Sequence, residues 1–129
     1  MTSKKDEREF TQFLQDILEA IDDIEGFVKE MEYNEFSGDK KTIYAVTKAL
    51  EIIGEATKKL PDSLKNEYPD VPWKFMAGIR DKVVHGYFAI DLPIVWKTAK
   101  TDVPCLKKTK NRTKNLVRII NCTSASKAI

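Results

Sequence analysis

Residues 41–60 read KTIYAVTKALEIIGEATKKL. Ile43, Val46, Leu50, Ile53, Thr57 and Leu60 recur at spacings of three and four, the period of one helix face. Tyr44, Ala45, Ala49, Ile52 and Ala56 widen that face until little polar surface is left. A helix this apolar is buried on more than one side, as the centre of a bundle or part of a subunit interface. Gly54 in its interior costs about 1 kcal/mol against alanine, which a close helix crossing would justify. Glu51 and Glu55 stand one turn apart on it. They face solvent or pair with a base, and Glu55 is a candidate to orient Arg80.

The flanking segments read as helices too. Phe10, Leu14, Ile17, Ile21, Ile24, Val28 and Met31 form a stripe, predicting a helix from about Asp6 to Met31. Its carboxylates, Asp16, Glu19, Asp22, Asp23 and Glu25, lie mostly elsewhere around it. With no second histidine and no Glu-x-x-His, they read as a solvated face and not a metal site. Residues 34–41 read as a link, with Asp39 a candidate helix cap. Pro61 ends the second helix, and Asp62–Glu67 reads as a short turn of helix. A third helix runs from Pro72 to about His85, with Trp73 anchoring its start and Gly86 as the left-handed residue that ends it. Asp91 caps a further helix with Pro93 in its first turn. A weak last helix spans Pro104 to Asn121, and its middle, KKTKNRTKN, has almost nothing to bury, so fraying is expected there.

No strand alternation and no internal repeat is visible. The sequence therefore predicts an all-α protein, an antiparallel bundle of four or five helices, with a helical domain over 1–108 and a basic tail over 109–129. The chain of 129 residues is enough for one modest core. The over-apolar second helix predicts a homodimer. No run of about 18 apolar residues is present, which argues against a membrane span. The first residues, MTSKKDEREFTQ, do not form a signal peptide. Cys105 and Cys122 are too few for a disulfide scaffold and have no evident zinc partners. A cytoplasmic protein is expected.

The net charge of +2 is unevenly spread. Residues 1–104 hold 15 Lys/Arg and 20 Asp/Glu, whereas 105–129 hold 7 Lys/Arg and no acid. Such a tail suits nucleic acid or an acidic partner. Lys107, Lys108, Lys110, Arg112 and Lys114 are then candidate RNA contacts. It suits equally the acidic face of its own domain.

Residues 78–88, GIRDKVVHGYF, carry the candidate chemistry. His85 is the only histidine of the chain. Its ordinary pKa of about 6.5 lets it exchange protons near neutrality, and a helix end favours its cation. Arg80 offers five fixed donors that suit a phosphate. Tyr87 adds a hydroxyl able to donate or accept. Five residues of ideal helix turn through about 140° net, so Arg80 and His85 converge only if the helix loosens near Val84 and Gly86, if Arg80 bends over, or if a second subunit completes the site. No CxxC, Walker loop or HExxH is present, and neither a metal nor a cofactor is expected. The groups suit metal-independent RNA cleavage: the ribose 2′-hydroxyl attacks the adjacent phosphate, His85 serves as general acid or base, and Arg80 stabilises phosphoryl charge.

Arg80-Asp-Lys-Val-Val-His85-Gly-Tyr87 resembles the Arg-x4-His-x-Tyr motif of HepT-like toxins, in the HEPN group of helical ribonucleases. The segments LEIIGEATKKL at 50–60, PWKFMAGIRDKVVHGYFAIDLPIVWKTAKTDVP at 72–104 and DILEAIDDIEGF at 16–27 are similar to that family as well. The resemblance implies a homodimer with an RNA-cleaving cleft between protomers, where Arg80 and His85 act. It implies a toxin–antitoxin system, type II-like, whose antitoxin is a nucleotidyltransferase of the MNT type that adds AMP to the motif tyrosine, here Tyr87. The alternative is a non-catalytic, nucleotide-binding or scaffold partner of a nucleotidyltransferase. Two features depart from the family. Asp81 stands where asparagine is frequent, able to pair with Arg80 or raise the His85 pKa. The tail replaces a final helix of alternating charge.

Overall fold

The computed structural model describes residues 4–85 and 89–106, with the backbone alone for 4–9, 85 and 89. The first helix, α1, spans Lys4–Val28. Its predicted stripe faces inward: Leu14, Ile17, Ile21, Ile24 and Val28 are buried. The chain leaves α1 through Glu30, whose φ of 63° is the left-handed turn conformation that few non-glycine residues adopt.

The long apolar stretch forms α3, Lys40–Lys58. Asp39 caps it: its carboxylate accepts from the Thr42 backbone N–H at 3.2 Å and from Thr42 Oγ1 at 2.6 Å. Those two bonds, the hydroxyl's foremost, hold the Asp39 carboxyl below its ordinary 3.8. Val46, Leu50 and Ile53 have no exposed surface, and Ile43, Ala49, Ala56 and Leu60 have little. α3 packs on α1 and on most later elements, so the expectation of burial on more than one side holds. It is not buried all round, for Tyr44 and Ile52 remain 56% and 37% exposed.

The predicted link at 34–41 contains a helix, α2, Tyr33–Ser37. One residue explains it. Phe36 is fully buried, its ring 5.1 Å from that of Trp96. Glu32 and Glu35 close a capping box at its start, with Glu32 N–H donating to Glu35 Oε1.

After Pro61 comes α4, Asp62–Glu67, then α5, Trp73–Ala77, and α6, Ile79–Val83. Trp73 anchors this region as expected. It is buried, and its indole N–H is shared between the Lys65 and Tyr68 carbonyls at 3.1 and 3.0 Å. Gly78 joins α5 to α6 in near-helical conformation, and Met76, Ile79 and Val83 are buried.

The predicted helix to His85 stops at Val83. Val84 is extended, at φ −118° and ψ 116°, and Val84–His85 (β1) pairs antiparallel with Ala89–Ile90 (β2), Val84 opposite Ile90 and His85 opposite Ala89. Two adjacent β-branched valines favour this exit. The Val83 carbonyl, left over at the helix end, accepts from Asp91 N–H at 3.0 Å. The predicted role of Gly86 lies outside the described residues.

Asp91 then caps α7, Leu92–Lys97, accepting from Ile94 N–H at 3.3 Å. The helix does not stop before Pro104. It widens into a π turn over Thr98–Asp102 and continues through 103–106. Pro104 gives the reason: its ring lacks an N–H and crowds the carbonyl four residues back, and a wider turn accommodates that. Val95, Ala99, Val103 and Leu106 close the core. The architecture is the expected all-α bundle, with one two-residue hairpin set into it.

Candidate functional site

Arg80 is positioned by a helix crossing. A Cβ built on Gly54 of α3 would lie 3.5 Å from the Ala77 carbonyl oxygen, 3.6 Å from that of Met76 and 3.7 Å from Arg80 Cβ. α3 thus packs on the α5–α6 backbone here with room for one methyl group, so the crossing is less tight than the cost of an interior glycine suggested. Arg80 stands on the solvent side of this crossing with its side chain 48% exposed. Its Nη1 lies 3.8 Å from Asp81 Oδ1, and the Asp81 side chain is 70% exposed. A pair this long and this exposed is worth at most about 1 kcal/mol. It turns the guanidinium without locking it.

Glu55 does not take the role expected of it. It is exposed on α3, and among the described residues no ion pair joins it to Arg80; the guanidinium pairs with Asp81 instead. Glu51 pairs with Lys48 at 3.9 Å.

The His85 backbone leaves α6 in extended form, two residues past the last helical position. The 140° of an ideal helix therefore does not separate it from Arg80, because the chain unwinds at Val84. The same unwinding takes His85 out of the last helical turn, where a helix end would favour its cation. The His85 side chain and Tyr87 lie outside the described residues, as do Lys107, Lys108, Lys110, Arg112 and Lys114.

Sequence reasoning missed Lys82. Its Nζ sits 5.1 Å above the Phe75 ring centre, a cation–π contact that holds it on the Phe75 side of the helix, away from the side of Arg80. The signal was an apolar–basic pair seven residues apart, two turns of one helix face. Among the described residues no three His, Cys, Asp or Glu side chains are grouped to hold a metal ion, and no helix is long and apolar enough to cross a membrane.

Comparison with known proteins bears on this arrangement. Residues 17–113 match the family model described as "Ribonuclease HepT-like". "Putative RNase MJ1216" of Methanocaldococcus jannaschii is 50% identical over 101 residues, covering 78% of this chain and 84% of the relative. "Probable ribonuclease HepT" of Thermococcus cleftensis is 49% identical over 100 residues, 78% and 91% of the two chains. "Putative RNase TTE0752" of Caldanaerobacter subterraneus is 38% identical over 96 residues, 74% and 86%. No solved structure matches the chain. The matched residues take in α3, the Gly54 crossing, Arg80 and the hairpin: the chain belongs to the HepT-like ribonuclease family.

Proposed function

We propose that the chain is a metal-independent endoribonuclease acting as a homodimer, and the toxin of a toxin–antitoxin pair. Family membership supports RNA as substrate and phosphodiester cleavage as reaction. The observation that carries the reading is Arg80, whose guanidinium is half-exposed beside the Gly54 crossing, just ahead of the point where the backbone unwinds toward His85.

The steps follow from these groups. RNA brings a phosphodiester against Arg80. His85 accepts the proton of the ribose 2′-hydroxyl as its oxygen bonds to phosphorus. Charge grows on the non-bridging oxygens, and the planar guanidinium stabilises it through two parallel bonds. The P–O5′ bond breaks, and the departing oxygen takes a proton from an acid, either the imidazolium of the second protomer or Tyr87. The products are a 2′,3′-cyclic phosphate and a free 5′-hydroxyl. AMP placed on Tyr87 by an MNT-type nucleotidyltransferase would add bulky negative charge to the motif and repel RNA.

The test is incubation of labelled RNA with pure protein in EDTA, beside His85→Ala, Arg80→Ala and a matched DNA. Cleavage of RNA alone, absent from both variants, supports the reading. Cleavage that requires a divalent ion, or survives either substitution, refutes it. An inert protein that binds a nucleotidyltransferase tightly indicates a scaffold.

A further inference from the structure

The outward side of α1 is acidic and includes two exposed apolar positions, Gly26 and Phe27. Glu19, Asp22, Asp23, Gly26 and Phe27 are all exposed. At about 100° per residue they share one arc of about 140°. Residues 10–36 hold eight Asp/Glu against one lysine, a charge of −7. A Cβ on Gly26 would meet nothing within 4 Å, and Phe27 is 42% exposed.

We infer that the chain's own segment 107–129 seats on this face of α1. Charge is the first argument. The segment carries seven Lys/Arg and no acid, opposite in sign to the Glu19, Asp22 and Asp23 of the face. Polarity is the second: Leu116, Val117, Ile119 and Ile120 cluster within it and suit the open ground at Gly26 and Phe27. Placement is the third. Leu106 is buried, and the π turn just before it packs against α1, so the segment starts at this helix and has to round it to reach the outward side. From Leu106 to Leu116 the chain spans about 33 Å if extended and about 15 Å if helical. The 25 residues of α1 span about 37 Å, so the reach is sufficient. RNA is the poorer occupant of such a face, because a polyanion is repelled by it. Seating the segment neutralises that repulsion for any RNA approaching Arg80. The inference does not depend on the nuclease reading.

The test is zero-length carbodiimide coupling of the full chain at low ionic strength without RNA, with peptides mapped by mass spectrometry. Lysines 107–114 are expected to couple to Glu19, Asp22 or Asp23 within one chain, as judged from mixed isotope-labelled and unlabelled protein. The yield should fall roughly fivefold or more in 1 M salt, where the screening length shrinks to about 3 Å. Coupling only between chains, only to other carboxylates such as Glu51 or Glu55, or not at all overturns it. A full-chain variant with Lys107, Lys108, Lys110 and Lys114 changed to glutamine should lose the couplings and keep its helical circular dichroism. If the parent shows no coupling to α1 and these changes weaken oligonucleotide binding severalfold, the segment is an RNA grip and the inference fails.

Discussion

Gly54 and Arg80 face one another across the crossing of α3 and α6, at a separation that leaves room for one methyl group. The distances from a built Cβ, 3.5 to 3.7 Å, are ordinary van der Waals contacts. Gly54→Ala should therefore fold and gain up to about 1 kcal/mol from helix propensity. Gly54→Val adds branches that push on the Ala77 and Met76 carbonyls and should cost about 1–3 kcal/mol. Thermal melts order the three proteins. A valine variant as stable as the parent would show that the crossing is not tight.

On the proposed function, in which Arg80 holds the substrate phosphate, Asp81 competes for the same guanidinium. Because the pair is exposed and 3.8 Å long, removing the charge should raise kcat/KM for RNA by no more than about fivefold, equivalent to about 1 kcal/mol. The gain from Asp81→Asn should shrink as salt is added. An unchanged or lowered kcat/KM at low salt would mean that the carboxylate orients the arginine and does not restrain it.

Much of this fold is legible in the residues themselves, and the exceptions have specific causes. Leu14, Ile17, Ile21 and Ile24, or Val46, Leu50 and Ile53, repeat over enough turns for the period to be unmistakable. α2 contributes a single apolar anchor, Phe36, and one residue has no period; its burial depends on Trp96, sixty residues on. The hairpin is invisible for the same reason. Two-residue strands hold no alternation, and Val83 and Val84 continue a helical pattern until the Asp91 N–H captures the Val83 carbonyl. Pro104 reads as a helix start, and only the π turn before it lets the helix pass through. At the site, residue types and the family resemblance single out Arg80, while the pairing with Asp81 instead of Glu55 is set by side-chain geometry that a sequence does not carry.

The cap at Asp39 should give stability an acid limb. Its carboxyl is held below 3.8 by the Thr42 hydroxyl first and the Thr42 backbone N–H second. A folded-state pKa below the unfolded one stabilises the fold above the unfolded value. That stabilisation is lost as pH falls through the folded value. Asp39→Ala should lower Tm by a few degrees at pH 7, and the difference should shrink as pH falls below the ordinary carboxylate value and through the lower folded one. A constant difference across that range would refute a charge-dependent cap.

Phe36 should be the principal support of α2. Its side chain is fully buried against Trp96, so Phe36→Ala should cost about 3–5 kcal/mol. Denaturant melts give the value. A cost below about 1 kcal/mol would mean that α2 is a surface turn contributing nothing to the core.

Asp91 serves two elements at once. Its N–H holds the Val83 carbonyl where α6 gives way to the hairpin, and its side chain accepts from Ile94 at the start of α7. Asp91→Ala keeps the backbone bond and removes the cap, so it should cost about 1 kcal/mol. Asp91→Asn caps about as well as aspartate and should restore that stability. If the residue also fixes the path on which His85 leaves α6, alanine should lower kcat on RNA beyond what the folded fraction explains, and asparagine should recover it. Measuring kcat well below each variant's Tm separates the two effects. Equal kcat for all three proteins would confine Asp91 to stability and leave the position of His85 to the hairpin alone.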